Sequence, residues 1–219
     1  MNKEKVIKFL KWFFHSYIWI GLLVLIVDII TKNVVANTMV EGDSVTLIPG
    51  FLSFTYTINR KAAFGLGPDN ATASKILYIS IAAVASIGIC FYFAKNEKKL
   101  SGFVKAAMML ILSGALGNMI DRIFYSPEYL HAYAGQPGGV VDFIDFFKGS
   151  ALHDIWHYIF NIADCGVVIG VFMLLISIAL SEFSLHVGKK EVEVIEDNEK
   201  VLSTSEKKRL EEQEKNKVE

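Results

Sequence analysis

Four stretches of this chain are apolar for long enough to cross a bilayer, and charged residues are confined to the intervals and to a few positions near the ends of those stretches. A helix needs about 20 predominantly apolar residues for such a crossing. The first run, from about Val6 to Ala36, contains Phe13-Phe14, Tyr17-Ile18-Trp19-Ile20 and Leu22-Leu23-Val24-Leu25-Ile26-Val27. It exceeds the roughly 7–15 apolar residues of a signal-peptide core, so a spanning helix at about 12–36 is preferred over a signal peptide cleaved near Ala36. Three more spans are predicted at about 76–94, 103–125 and 159–181.

The intervals carry different patterns. In 37–75, Phe51-Leu52-Ser53-Phe54-Thr55-Tyr56-Thr57-Ile58 alternates large apolar with small polar residues after a Pro49-Gly50 turn, which predicts a strand of a small sheet. In 126–158, Pro127, Pro137 and Gly138-Gly139 punctuate a mixed segment that ends in the aromatic run Phe143-Ile144-Asp145-Phe146-Phe147, and an interfacial amphipathic segment is expected there. From Gly188 the chain is rich in Lys and Glu with few aromatics, the composition of a disordered or marginally helical tail. The expected fold is an all-α membrane protein: a four-transmembrane-helix bundle over 1–187 with a small extracytoplasmic β-sheet, followed by a charged cytoplasmic tail over 188–219.

Composition agrees with this class. Of 219 residues 53% are hydrophobic and only 21% charged. The net charge of −1 hides a segregation that sets the topology. Lys3, Lys5, Lys8 and Lys11 precede the first span, Lys95, Lys98, Lys99 and Lys105 surround the short second connection, and more lysines follow the fourth span. By the positive-inside rule these regions and both termini are cytoplasmic, and the two long connections face outward. Nothing resembles a nucleic-acid-binding stripe. Cys90 and Cys165 sit in apolar runs and are read as small hydrophobes without a disulfide.

The topology places the polar residues of the spans at one depth. Asp28 and Lys32 fall near the outer end of the first span, four apart and on one face. Asn118, Asp121 and Arg122 fall at the outer end of the third, and Asn161 and Asp164 at the outer start of the fourth, while Asn59-Arg60 and Asp142 lie in the outer connections. An ionisable group inside a membrane span is costly and so marks a functional position by default. Lys32 and Arg122 balance Asp28 and Asp121 as an ion-pair shell, which leaves Asp142 and Asp164 as two carboxylates with no obvious cation. Two such groups in one site hold a single proton near neutral pH, one serving as base toward water and the other as acid toward a carbonyl oxygen or leaving amine.

Five blocks, in order, resemble lipoprotein signal peptidase, the bacterial signal peptidase II family. They are Asp28-Ile29-Ile30-Thr31-Lys32, Asn59-Arg60-Lys61-Ala62-Ala63-Phe64-Gly65, Gly114-Ala115-Leu116-Gly117-Asn118-Met119-Ile120-Asp121-Arg122, Val140-Val141-Asp142-Phe143-Ile144 and Phe160-Asn161-Ile162-Ala163-Asp164. The resemblance implies an intramembrane aspartic endopeptidase with Asp142 and Asp164 as catalytic pair and with no metal or cofactor. It implies that Asp28, Lys32, Asn59, Asn118, Arg122 and Asn161 shape the site or hold substrate. The implied substrate is a diacylglyceryl-modified prolipoprotein in the bacterial cytoplasmic membrane, cut just before its lipidated cysteine, with membrane lipids as the surroundings.

Three other chemistries fit parts of the sequence. His153-Asp154-Ile155-Trp156-His157 spaces two histidines as a zinc-protease helix does, though with aspartate in place of glutamate, and also suits an amphipathic interfacial helix. Cys165 with His157 suits a cysteine peptidase, but on a helix Cys165 points about 100° away from Asp164. Intramembrane Asp, Asn and Arg also suit a proton-coupled transporter, against which stands the lack of a visible inverted repeat.

Overall fold

A computed structural model describes residues 3–60, 70–124 and 139–183. Lys61 and Phe64 of the second block, the stretch from Pro127 to Pro137 and the charged tail 188–219 lie outside the described residues. The chain divides into a unit from Met1 to Leu174 and another from Leu175 to Glu219. In the second unit the described residues are helical, and Leu175, Ile176, Leu180 and Phe183 are exposed.

Among the described residues the helices and strands follow in the order α1 Lys3–His15, α2 Ile18–Thr38, β1 Ser44–Ile48, β2 Leu52–Asn59, α3 Ala71–Asn96, a short 3-10 turn Glu97–Lys99, α4 Gly102–Phe124, β3 Val140–Phe146, β4 Ile159–Phe160 and α5 Ile162–Phe183. Four of these helices, α2, α3, α4 and α5, are long and apolar enough to cross a membrane. The fourth crossing starts at Ile162 rather than 159, because Ile159 and Phe160 pair with Asp145 and Ile144 as strand β4.

The first apolar run is not one helix. It breaks at Ser16-Tyr17, where Tyr17 takes a left-handed backbone with φ 64°. Ser16 Oγ donates to the Phe13 carbonyl at 2.9 Å, and Lys105 Nζ on α4 donates to the His15 carbonyl at 3.4 Å. These bonds take up carbonyls that a helix end leaves without partners. The crossing therefore begins at Ile18, and α1 is a separate amphipathic helix.

The four strands form an antiparallel meander in the order β1-β2-β3-β4. The pairing of β2 with β3 slips between Phe54 and Thr57, so that β2 carries one extra residue there. A bulge of this kind changes which side chains face inward. Ser53 and Thr55 are buried before it, Tyr56 and Ile58 after it. Tyr56 and Ile58 then pack with Val141, Phe143 and Ile144 of β3 and with Val35 at the end of α2, partly covering Phe160, Ile162 and Cys165. This core fastens the sheet to the ends of α2 and α5. Residues 140–146 are thus a buried central strand, and of the interfacial amphipathic segment expected in 126–158 the part 126–138 lies outside the described residues.

Candidate active site

The site is built where three helix ends meet strand β3. Asn161 is the residue before α5, and it closes the helix start reciprocally with Asp164. Its Oδ1 accepts the Asp164 amide at 2.9 Å, and Asp164 Oδ2 accepts the Asn161 amide at 3.2 Å. That is a capping box with Asn and Asp in place of the commoner Ser/Thr and Glu. The box fixes the Asp164 carboxylate beside the first turn. Because Asn161 Nδ2 remains available, it reaches across to Asp142 Oδ1 at 2.7 Å and to Asn118 Oδ1 at 3.1 Å.

The remaining amides complete the ring. Asn118 Nδ2 donates to Asp164 Oδ1 at 2.7 Å, and Asn59 Nδ2 at the end of β2 donates to Asp142 Oδ2 at 3.0 Å. Asp142 is only 2% exposed, whereas Asp164, Asn118, Asn59 and Arg122 are partly open. Burial pushes the Asp142 carboxyl up to about 7; the charge of Asp164 adds to the rise, and the Asn59 and Asn161 amides oppose it. The two carboxylates are therefore close enough to titrate together. Arg122 lies in the field of both, with its guanidinium 5.1 Å from the centre of the Tyr78 ring.

Beneath the ring sits a buried ionic triad. Lys32 Nζ is 2.8 Å from Asp28 Oδ2, off the hydrogen-bonding direction, and 3.0 Å from Asp121 Oδ2, and it donates to Asn118 Oδ1 at 3.1 Å. Both acids also accept backbone amides. Asp28 Oδ1 takes the Ala163 N–H at 2.8 Å, and Asp121 Oδ2 takes the Val141 N–H at 3.2 Å. Each of those residues immediately precedes a carboxylate of the pair. Asp121, expected from sequence in the ion-pair shell alone, thus also anchors β3, and its spacing of three from Asn118 on α4 is the signal that marks it.

Small residues allow the helices to come this close. A Cβ on Gly117 would stand 2.6 Å from Asp28 Oδ2, and one on Gly114 would collide with the Ala163 carbonyl. Such close approach through small residues is the usual packing of helices in lipid.

The side chains of the two other peptidase readings are placed elsewhere. His153 and His157 do not share a helix face, since 151–155 is a series of turns. His153 Nε2 is 3.4 Å from Asp145 Oδ1, and His157 stacks on Tyr158 with ring centres 4.5 Å apart. Asp145 is buried against Thr55, whose hydroxyl donates at 2.7 Å, with Lys148 Nζ 3.9 Å away. Cys165 packs against the Val35, Tyr56 and Phe143 core.

Residues 20–180 match the family model described as signal peptidase (SPase) II. The chain belongs to the signal peptidase II family. It is 42% identical over 161 residues to a lipoprotein signal peptidase of Fusobacterium nucleatum subsp. nucleatum, covering 73% of this chain and 84% of the relative. A lipoprotein signal peptidase of Staphylococcus aureus is 35% identical over 187 residues, covering 84% of this chain and 98% of the relative. A solved structure described as a bacterial membrane enzyme superposes with a TM-score of 0.61 at 33% identity, covering 76% of this chain and 89% of that one. A second of the same description gives 0.58 at 34% identity, with 74% and 92% covered. The family is one of aspartic peptidases, and the transporter alternative finds no support in it.

Proposed function

We propose that this chain is a lipoprotein signal peptidase that removes the signal peptide from diacylglyceryl-modified prolipoproteins, cutting just before the lipidated cysteine, with Asp142 and Asp164 as its catalytic pair. The observation that carries the reading is the pair itself: two carboxylates gripped by the Asn59, Asn118 and Asn161 amides, with Asp142 raised to about 7. Up to that pH the pair retains one proton. The ionised member takes a proton from water as its oxygen bonds to the scissile carbonyl carbon. The protonated member gives its proton to the carbonyl oxygen; as the C–N bond breaks, the proton taken from water passes to the leaving amine and the former carbonyl oxygen returns its own, so that the pair again holds one proton.

Asn118 and Asn161 orient the pair, Asn59 and Arg122 line the partly open side where a peptide would enter, and Asp28 with Lys32 holds the frame. Lysines at Lys3, Lys5, Lys8 and Lys11 and at Lys95, Lys98 and Lys99 favour cytoplasmic termini, including the 188–219 tail, and a site at the outer leaflet. There the acyl chains of a substrate stay in lipid while its peptide meets the sheet. The test is cleavage of a synthetic diacylated lipobox peptide by Asp142→Asn and Asp164→Asn variants. Each should lose at least about 10²–10⁴ in rate while remaining folded in detergent. Substantial turnover by either variant overturns the assignment.

A further inference from the structure

Helix α1 precedes the residues matched by the family model and takes no part in the site described above. Its residues form two faces. Glu4, Lys8, Lys11 and His15 recur at three- and four-residue steps along one, and Val6, Phe9, Leu10, Phe13 and Phe14 along another, with Lys5 and Trp12 at the boundary and Lys3, in the first turn, on the apolar side. No residue of α1 is buried; Ile7, Phe9, Leu10 and Phe14 are all exposed large apolar side chains. Four lysines against one glutamate give the helix a net charge of +3, taking His15 as neutral.

The placement of α1 is also built. The left-handed Tyr17 and the Lys105 bond to the His15 carbonyl end it where the crossing helix α2 begins. Trp12 Nε1 donates to Glu97 Oε2 at 3.3 Å, so that α1 is tied to the short connection between α3 and α4. Ile7, Leu10, Trp12, Phe14 and Tyr17, with Lys11, His15 and Glu97, line an open groove of about 820 Å³ at this junction. An apolar face, a basic face and an aromatic pair at the mouth of a membrane span match a phospholipid layer with anionic headgroups.

We propose that α1 lies in the membrane surface at the leaflet where α2 begins, its apolar face in the acyl region and Lys5, Lys8 and Lys11 on anionic headgroups. Charge complementarity selects this occupant, because the basic face would repel the same face of a second copy. The test uses the full chain with Trp19→Phe and Trp156→Phe, which leaves Trp12 as the one tryptophan to be excited selectively over the tyrosines, in vesicles of equal parts phosphatidylcholine and phosphatidylglycerol. Brominated phosphatidylglycerol should quench Trp12 at least about threefold more than brominated phosphatidylcholine. Lys5→Gln/Lys8→Gln/Lys11→Gln should abolish that preference, and the corresponding arginine variant should restore it. Equal quenching by the two lipids in the parent protein overturns the proposal. So does quenching by neither lipid with Trp12 shielded in proportion to protein density, which would assign the face to a second copy of the chain.

Discussion

Asp28 Oδ1 accepts the backbone N–H of Ala163 at 2.8 Å, and this single bond ties the residue before Asp164 to a helix 135 positions earlier. Asp121 does the same for the residue before Asp142, through the Val141 N–H. Lys32 stands between the two acids. The positions of the two central carboxylates thus depend on one buried cation whose own partners are Asp28, Asp121 and Asn118.

Replacing Lys32 with Met should therefore be costly for stability as well as activity. It leaves Asp28 and Asp121 as uncompensated buried charges, and loss of one partner from such a group costs about 3–5 kcal/mol. Thermal unfolding in detergent should show a large drop. Lys32→Arg should not restore the parent, since a planar guanidinium does not fit where one ammonium meets three oxygens.

Asn161 has two separable tasks. A serine at this position retains an oxygen for the helix cap but loses the Nδ2 donor to Asp142. Asn161→Ser should lose about 1–3 kcal/mol of stability, the cost of leaving the buried Asp142 Oδ1 without its donor, and should cleave about 10–100-fold more slowly while still folded. Unchanged kcat would remove Asn161 from the orienting role.

Gly117→Ala should destabilise by about 1–3 kcal/mol, because the added methyl meets Asp28 Oδ2 at 2.6 Å and Ala163 Cβ at 3.1 Å. Gly88→Ala on α3 is the control, with nothing within 4 Å of the new Cβ. It should be neutral or slightly stabilising by helix propensity. The two unfolding temperatures, measured side by side, check this.

The Asp142 shift gives pH a definite sign. The pair loses its proton above about 7, so kcat/KM should fall about tenfold per pH unit on the alkaline side. Stability moves in the same direction. An unfolded aspartate titrates near 3.9, so the raised folded value contributes fully below about pH 4, and this contribution is lost as pH rises through about 7. A pH series of unfolding and cleavage on the same preparation tests both.

The four crossings were legible because hydropathy alone marks a segment that has no water to satisfy its backbone. The break at Tyr17 was not, since Ser16-Tyr17 lacks Gly or Pro and apolar residues flank it on both sides. Strand β3 was not legible for a different reason. Val140-Val141-Asp142-Phe143-Ile144-Asp145-Phe146 shows no apolar/polar alternation, because the strand buries both carboxylates along with its apolar residues, with Asn59 and Asn161 on one and Thr55 on the other. Motif and depth brought Asp28, Lys32, Asn118 and Asn161 to one place on paper. That Asp28 and Asp121 hold backbone amides was invisible, because an amide N–H carries no residue identity.

The two central carboxylates sit on different kinds of element, one on a sheet strand and the other on the last membrane helix, and their shared amide donor follows both β3 and β4. During synthesis the ring cannot close until Asn161 and Asp164 have been made. On the assignment proposed above, the chain therefore becomes a peptidase only once its last membrane-length helix has begun to form.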